Sequence, residues 1–245
     1  MQISGSVALV TGANRGIGQA YVEALLTSGA RRIYATARTL SALDPVVALA
    51  PDRIVPLALD VTQPDHVHGV AQRAADVTLL INNAGVLGSG GLFAADSLDT
   101  AHWEMTTNYF GTLQMIRAFT PILKQQGGGA IVNMLSIASV ANVPVFGTYS
   151  ASKAALFSLT QAARAELQRH NILVVGVFAG PVDTPMAAGI PMDKVTPAHV
   201  ASTVLAAVAQ GQEDVYPDPI SEQILSAVRD PLKGVERQFA GMVPA

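Results

Sequence analysis

The chain has 245 residues, of which 50% are apolar and only 13% charged, with a formal net charge of −3. Its Lys and Arg residues are scattered, which leaves no basic footprint for nucleic acid or an anionic membrane, and the absence of cysteine excludes disulfides and thiolate metal sites. No apolar run is long enough to span a bilayer, and no basic region opens the chain in the manner of a signal peptide. The expectation is a cytoplasmic protein that does not bind membranes. The low charge content points to partner subunits covering part of its surface.

Short β-branched runs alternate with segments of helical period. A strand from Val7 to Thr11 is followed by a helix from Gly18 to Ser28, then a strand from Arg32 to Ala37 and a helix over roughly Ser41 to Leu49. Next come a strand from Arg53 to Leu59, a helix near Asp65 to Ala74, a strand from Val77 to Asn82 and a long helix from about Asp99 to Gln126. The series closes with Ala130 to Met134 (strand), Ser150 to His170 (helix), Ile172 to Phe178 (strand), Pro197 to Gln210 (helix) and a short strand near Asp214 to Tyr216. This rhythm implies a parallel sheet with helices on both faces. Continuously apolar runs such as Val7-Ala8-Leu9-Val10 suit strands buried on both sides. With no linker, repeat or low-complexity segment, residues 1–245 read as one domain, and Gly127-Gly128-Gly129 reads as a helix stop and tight turn.

Two motifs carry chemistry. The turn Thr11-Gly12-Ala13-Asn14-Arg15-Gly16-Ile17-Gly18 joins the first strand to the first helix, where a doubly wound sheet offers backbone N–H groups to a pyrophosphate. Tyr149 and Lys153 stand four positions apart, on one face of a helix, so that a phenol and an ammonium act on one bound molecule. A nearby cation favours the phenolate and lowers the Tyr pKa from near 10 toward the working range. The five histidines show no ligand-like clustering, so no metal site is expected.

At this point the chain resembles the short-chain dehydrogenase/reductase family along essentially its whole length. The motifs that carry the resemblance occur in order: Thr11-Gly12-x-x-x-Gly16-Ile17-Gly18, Asp60-Val61, Asn82-Asn83-Ala84-Gly85, Asn108, Ser136 and Tyr149-x-x-x-Lys153. The resemblance implies a single-domain, doubly wound (Rossmann-type) α/β fold and a bound nicotinamide dinucleotide. Gly12, Asn14, Arg15, Gly16, Ile17 and Gly18 would cradle it, Asp60 and Val61 would lie beside the adenine, and Asn83, Ala84 and Gly85 would close over the adenosine side. Gly180, Val182 and Thr184, in the segment Ala179 to Met186, would meet the nicotinamide, although Ala179 stands where family members usually have Pro.

The resemblance also implies that Tyr149 is the general acid and base and that Ser136 hydrogen-bonds the reacting oxygen. Lys153 would depress the Tyr149 pKa and hold the nicotinamide ribose. Asn108 would hold, through its backbone, a water that links Lys153 to solvent. At the end of the second strand, where a carboxylate would accept from an unmodified ribose 2′-OH, stand Ala37 and Arg38. Arg38, helped by Arg15, would instead grip a 2′-phosphate, which favours NADP(H) over NAD(H). The loops at about 137–148 and 186–196 are short and apolar; Val143, Val145, Phe146, Met186 and Met192 suit an uncharged ketone or aldehyde, with no evident cation for an anionic substrate.

The expected function is therefore NADPH-dependent, reversible carbonyl reduction, in a homotetramer or homodimer paired through the long helix and the helix that carries Tyr149. A dinucleotide-binding regulatory or scaffold protein is the alternative. An epimerase or dehydratase is disfavoured, because only Pro217 to Ala245 would be left to build a substrate domain.

Overall fold

Val7-Ala8-Leu9-Val10 offers no polar face to water, and all four residues are buried in the first strand, β1 (Val7–Val10). The computed structural model describes residues 1–88, 91–93 and 97–228. After β1 come α1 (Gly16–Thr27), β2 (Arg32–Ala37), a single helical turn α2 (Asp44–Val47), β3 (Ile54–Ala58), α3 (Pro64–Arg73) and β4 (Leu79–Asn82). The second half holds α4 (Asp99–Glu104), α5 (Thr112–Gln125), β5 (Gly129–Met134), α6 (Gly147–Leu167), β6 (Ile172–Val177), α7 (Pro197–Gln210), β7 (Asp214–Val215) and α8 (Pro219–Val228).

The strands form one parallel sheet in the order β3-β2-β1-β4-β5-β6-β7. The chain thus begins in the middle, winds out to β3, and restarts at β4 on the other side of β1. The doubly wound architecture expected from the alternation is present. Successive side chains along a strand point to opposite faces, and the core divides accordingly. Ala8 and Val10 pack with α1 and α7, whereas Val7 and Leu9 pack with α3, α5 and α6. Because β1 and β4 are neighbours whose crossovers leave in opposite directions, a crevice opens at their carboxyl ends.

Three elements depart from the expected course. The helix expected over Ser41 to Leu49 is a 3₁₀ turn, Leu40–Leu43, followed by the four-residue α2. Pro45 lies in its first turn and Pro51 stands soon after its end, so the run has little room to propagate. The long helix expected from Asp99 to Gln126 is interrupted by a π-helical stretch, Met105–Gly111, between α4 and α5. Finally, α6 starts at Gly147, so Tyr149 lies in its first turn, and α8 fills part of the stretch after Pro217 for which no element was foreseen.

Candidate active site

The glycine turn leaves the end of β1 and passes directly into α1. Gly12 and Gly16 hold φ angles of +65° and +56°, in the left-handed region where a side chain is strained. Gly18 is needed for space, since a Cβ there would stand 2.0 Å from the Gly12 carbonyl oxygen and 2.7 Å from Asn83 Nδ2. The first turn of α1 contains no acidic residue, and Arg15 precedes it. The result is a tight backbone turn at a positive helix end, the charge that a pyrophosphate requires.

The turn is held from the neighbouring strand. Asn83, just past β4, donates through Nδ2 to the Thr11 and Gly12 carbonyls at 2.9 and 3.2 Å. Thr11 Oγ1 accepts the Asn83 and Ala84 N–H groups, each at 2.9 Å. The Asn83 side chain thus braces the turn. Thr11, absent from the expected site residues, is a partner in that brace; its signal in the sequence was only its place at the strand end. Beyond β3, the Asp60 carboxylate accepts Thr62 N and Thr62 Oγ1 at 2.9 and 2.7 Å. Val61 is buried against Gly111, where a Cβ would come within 2.7 Å of Val61 Cγ2.

Arg15 and Arg38 are both exposed and make no side-chain hydrogen bond or ion pair among the described residues. Two unpaired guanidinium groups beside a glycine cradle fit a phosphate monoester. Ala37, the last residue of β2, is buried and carries no carboxylate to repel one.

At the carboxyl end of β5 and the start of α6 the polar groups converge. Ser136 caps a 3₁₀ turn, Ile137–Ser139, its Oγ accepting Ala138 N–H at 3.1 Å while Ser139 Oγ accepts Ser136 N–H. Capping uses only an acceptor lone pair of Ser136, so its O–H stays available to donate. Ser136 is in hydrogen-bonding reach of Tyr149.

Burial pushes the Tyr149 phenol up to about 12; the Ser136 hydrogen bond opposes that rise and the Glu104 charge adds to it. Lys153 is not among the groups that shift the Tyr149 phenol here. Lys153 Nζ lies 5.7 Å from the Tyr149 ring centroid and donates to the Met134 carbonyl at 2.7 Å. Burial also lowers the Lys153 ammonium to about 8, which weakens it as a cation for its neighbour.

Asn108 sits in the π-helical stretch and is fully buried. Its side chain clasps Val86, accepting Val86 N–H at 2.8 Å and donating to the Val86 carbonyl at 2.9 Å. It also donates to Ser152 Oγ at 2.9 Å, and Ser152 in turn donates to the Tyr149 carbonyl at 2.7 Å. The Asn108 carbonyl accepts the Thr112 hydroxyl at 2.9 Å, and a carbonyl retains a second lone pair for another donor. Gly85 lies over this cluster: a Cβ on it would stand 3.2 Å from Asn108 Oδ1 and 3.5 Å from Lys153 Nζ.

Glu104 was missed by sequence reasoning, and Ser152 was considered only as a rival hydroxyl to Ser136. Glu104 is 1% exposed, with Oε1 accepting Gly88 N–H at 2.7 Å and Oε2 unpartnered among the described residues. A lone Glu in an amphipathic helix gives no signal of burial.

The turn after β6 completes the site. Thr184 approaches the glycine turn, as a Cβ on Gly16 would come within 3.2 Å of Thr184 Cγ2. Val182 forms an isolated bridge with Val195, which closes the 186–194 loop onto the turn. An open surface depression is formed by that loop and α8, lined by Ile190, Pro191, Met192, Asp193, Lys194 and Ile220. Lys194 therefore gives this region a cation that the apolar reading of the loop did not anticipate. Val143 packs instead in a small cluster with Ile137 and Ile224.

Among the described residues no group of His, Asp or Glu is arranged to hold a metal, and no helix is long and apolar enough to cross a membrane.

Sheet order, glycine turn and switch-point crevice define a doubly wound α/β protein of the dinucleotide-binding type. The model of the short chain dehydrogenase family matches residues 6–194, and the chain belongs to that family. It is similar to the crystal structure of a short chain dehydrogenase from Burkholderia cenocepacia in complex with NADP, at 41% identity and a TM-score of 0.93 over 100% of both chains. A short chain dehydrogenase/reductase from Burkholderia phymatum in complex with NAD is 25% identical, with a TM-score of 0.86 over 100% of this chain and 99% of that one. The 3-oxoacyl-[acyl-carrier-protein] reductase of Thermotoga maritima is 29% identical over 99% of this chain and 98% of its own length.

Proposed function

We propose that the chain is an NADP(H)-dependent oxidoreductase that reduces an uncharged ketone or aldehyde to its alcohol, reversibly, within a single domain. The observation that supports this best is the convergence of Ser136, Tyr149, Lys153 and Asn108 on the carboxyl edge of the sheet, beside the glycine cradle. A binding protein without turnover would have no need of that set in working order.

The backbone from Gly12 to Gly18 would hold the pyrophosphate, Arg15 and Arg38 the 2′-phosphate, and Gly180, Val182 and Thr184 the nicotinamide end. Bound there, the cofactor would supply hydride-transfer chemistry at the substrate carbonyl, where negative charge would build on the oxygen. Ser136 donates a hydrogen bond to that oxygen, and Tyr149 transfers its phenolic proton to it. Lys153 holds the ribose and, through Asn108 and water, returns a proton to Tyr149. The likeness to an NADP-bound relative supports the cofactor preference. Exposed Trp103 and Phe110, on α4 and the π-helical stretch, support a homodimer or homotetramer formed through that face.

The 2′-phosphate assignment has a direct test. Replacing Arg38 with Asp puts a carboxylate where the phosphate would sit, so the KM for NADPH should rise on the order of a hundredfold relative to that for NADH. An unchanged preference removes Arg38 from the phosphate site.

The buried Lys153 makes a second prediction. Its folded pKa of about 8 lies below the ordinary 10.5, so between those values the unfolded chain holds more protons than the folded one. Stability therefore rises with pH across that window, because the cost of burying the charged ammonium disappears. Urea unfolding at pH 7 and pH 9.5 should show wild type gaining about 2 kcal/mol relative to Lys153→Met. A constant difference between the two proteins would show that Lys153 keeps its ordinary pKa.

A further inference from the structure

Asp218 is a carboxylate only 4% exposed, placed immediately before α8, and no cation pairs with it among the described residues. Its charge is instead held by backbone donors from two separate segments. Oδ2 accepts the Gly180 N–H at 2.7 Å, and Oδ1 accepts the Ser221 N–H at 2.8 Å. Such charge-assisted bonds are short and stronger than neutral ones. The approach to Gly180 is close enough to dictate that residue, since a Cβ there would stand 2.5 Å from Asp218 Oδ1.

The two anchored segments do different things. Gly180 belongs to the turn that follows β6, where Ala179 has none of the stiffness a proline would confer. Ser221 belongs to the first turn of α8, and its hydroxyl donates back to the Asp218 carbonyl at 2.7 Å. Further along α8, Ile224 is buried against Ile137, the residue after Ser136. Ile137 closes the loop by donating its N–H to the Ala179 carbonyl at 3.1 Å. The turn after β6, the start of α8 and the Ser136 segment are therefore fastened into one ring, with Asp218 as its only charged link among the described residues.

We propose that Asp218 is a positioning residue: it fixes the Ala179–Thr184 turn to α8 and thereby sets where the nicotinamide end of the dinucleotide lies relative to Ser136. The proposal rests on the cofactor reading above. It locates the effect at one end of the cofactor, which separates it from a general role in folding.

The test compares NADPH with adenosine 2′,5′-bisphosphate, which keeps the 2′-phosphate end and lacks the nicotinamide, by calorimetric titration. Asp218→Ala should bind NADPH about tenfold more weakly, as expected for losing a hydrogen bond to a charged group, and bind the bisphosphate like wild type. Asp218→Asn retains one acceptor oxygen for Gly180 and should recover most of the NADPH affinity. Ser221→Ala, which removes only the helix-start hydroxyl, should lower Tm and leave NADPH affinity unchanged. If Asp218→Ala weakens both ligands alike, or neither, the proposal is overturned. If wild type binds neither ligand, the cofactor reading fails, and the proposal with it.

Discussion

Tyr149→Phe should reduce carbonyl turnover by between about 10²- and 10⁴-fold while NADPH affinity stays close to that of wild type. The range is the usual contribution of a positioned general acid. The affinity is spared because Phe keeps the ring and removes only the hydroxyl. The phenol is raised to about 12 by its surroundings, so at neutral pH Tyr149 carries the proton that a general acid needs. Steady-state kinetics with an uncharged ketone, alongside a fluorescence titration of NADPH, gives both quantities. Retained turnover would remove Tyr149 from the mechanism, and a parallel loss of NADPH binding would make it a structural residue.

Gly18→Ala should weaken NADPH binding between about 10- and 100-fold, the consequence of a 1–3 kcal/mol steric penalty placed at the cofactor cradle. The added Cβ meets a backbone oxygen, that of Gly12, at 2.0 Å, and no side-chain rotation relieves a collision with main chain. Either α1 shifts or the glycine turn does, and in both cases the N–H groups proposed to face the pyrophosphate move. Gly69→Ala is the control: nothing stands within 4 Å of a Cβ there, and it lies on the remote helix α3. Titration of both variants with NADPH should show the loss only for Gly18. Equal binding by both would mean that the cradle does not hold the cofactor.

Much of this was legible because it is local in sequence. Strands buried on both faces write themselves as apolar runs, and a glycine turn between strand and helix announces a phosphate cradle. The Tyr149 to Lys153 spacing shows a shared helix face. What was illegible depends on contacts between distant segments. Asp218 and Gly180 are 38 positions apart and meet only because β6 and β7 pair. Glu104 is buried by packing that nothing in its local sequence shows. The π-helical interruption around Asn108 had no sign in the periodicity of the long helix; there Asn108 bonds to Val86 and Ser152, from segments distant in the sequence. The spacing of Tyr149 and Lys153 shows a shared face but not the desolvation that raises the one and lowers the other.

The measurement closest to the central claim is consumption of NADPH by the wild-type protein with a panel of uncharged ketones and aldehydes, repeated with NADH. The expected result is turnover of at least one apolar carbonyl compound with NADPH, at a far lower KM than with NADH. Tight binding of NADPH with no turnover of any member of the panel would contradict it, and would leave a dinucleotide-binding protein in place of a reductase.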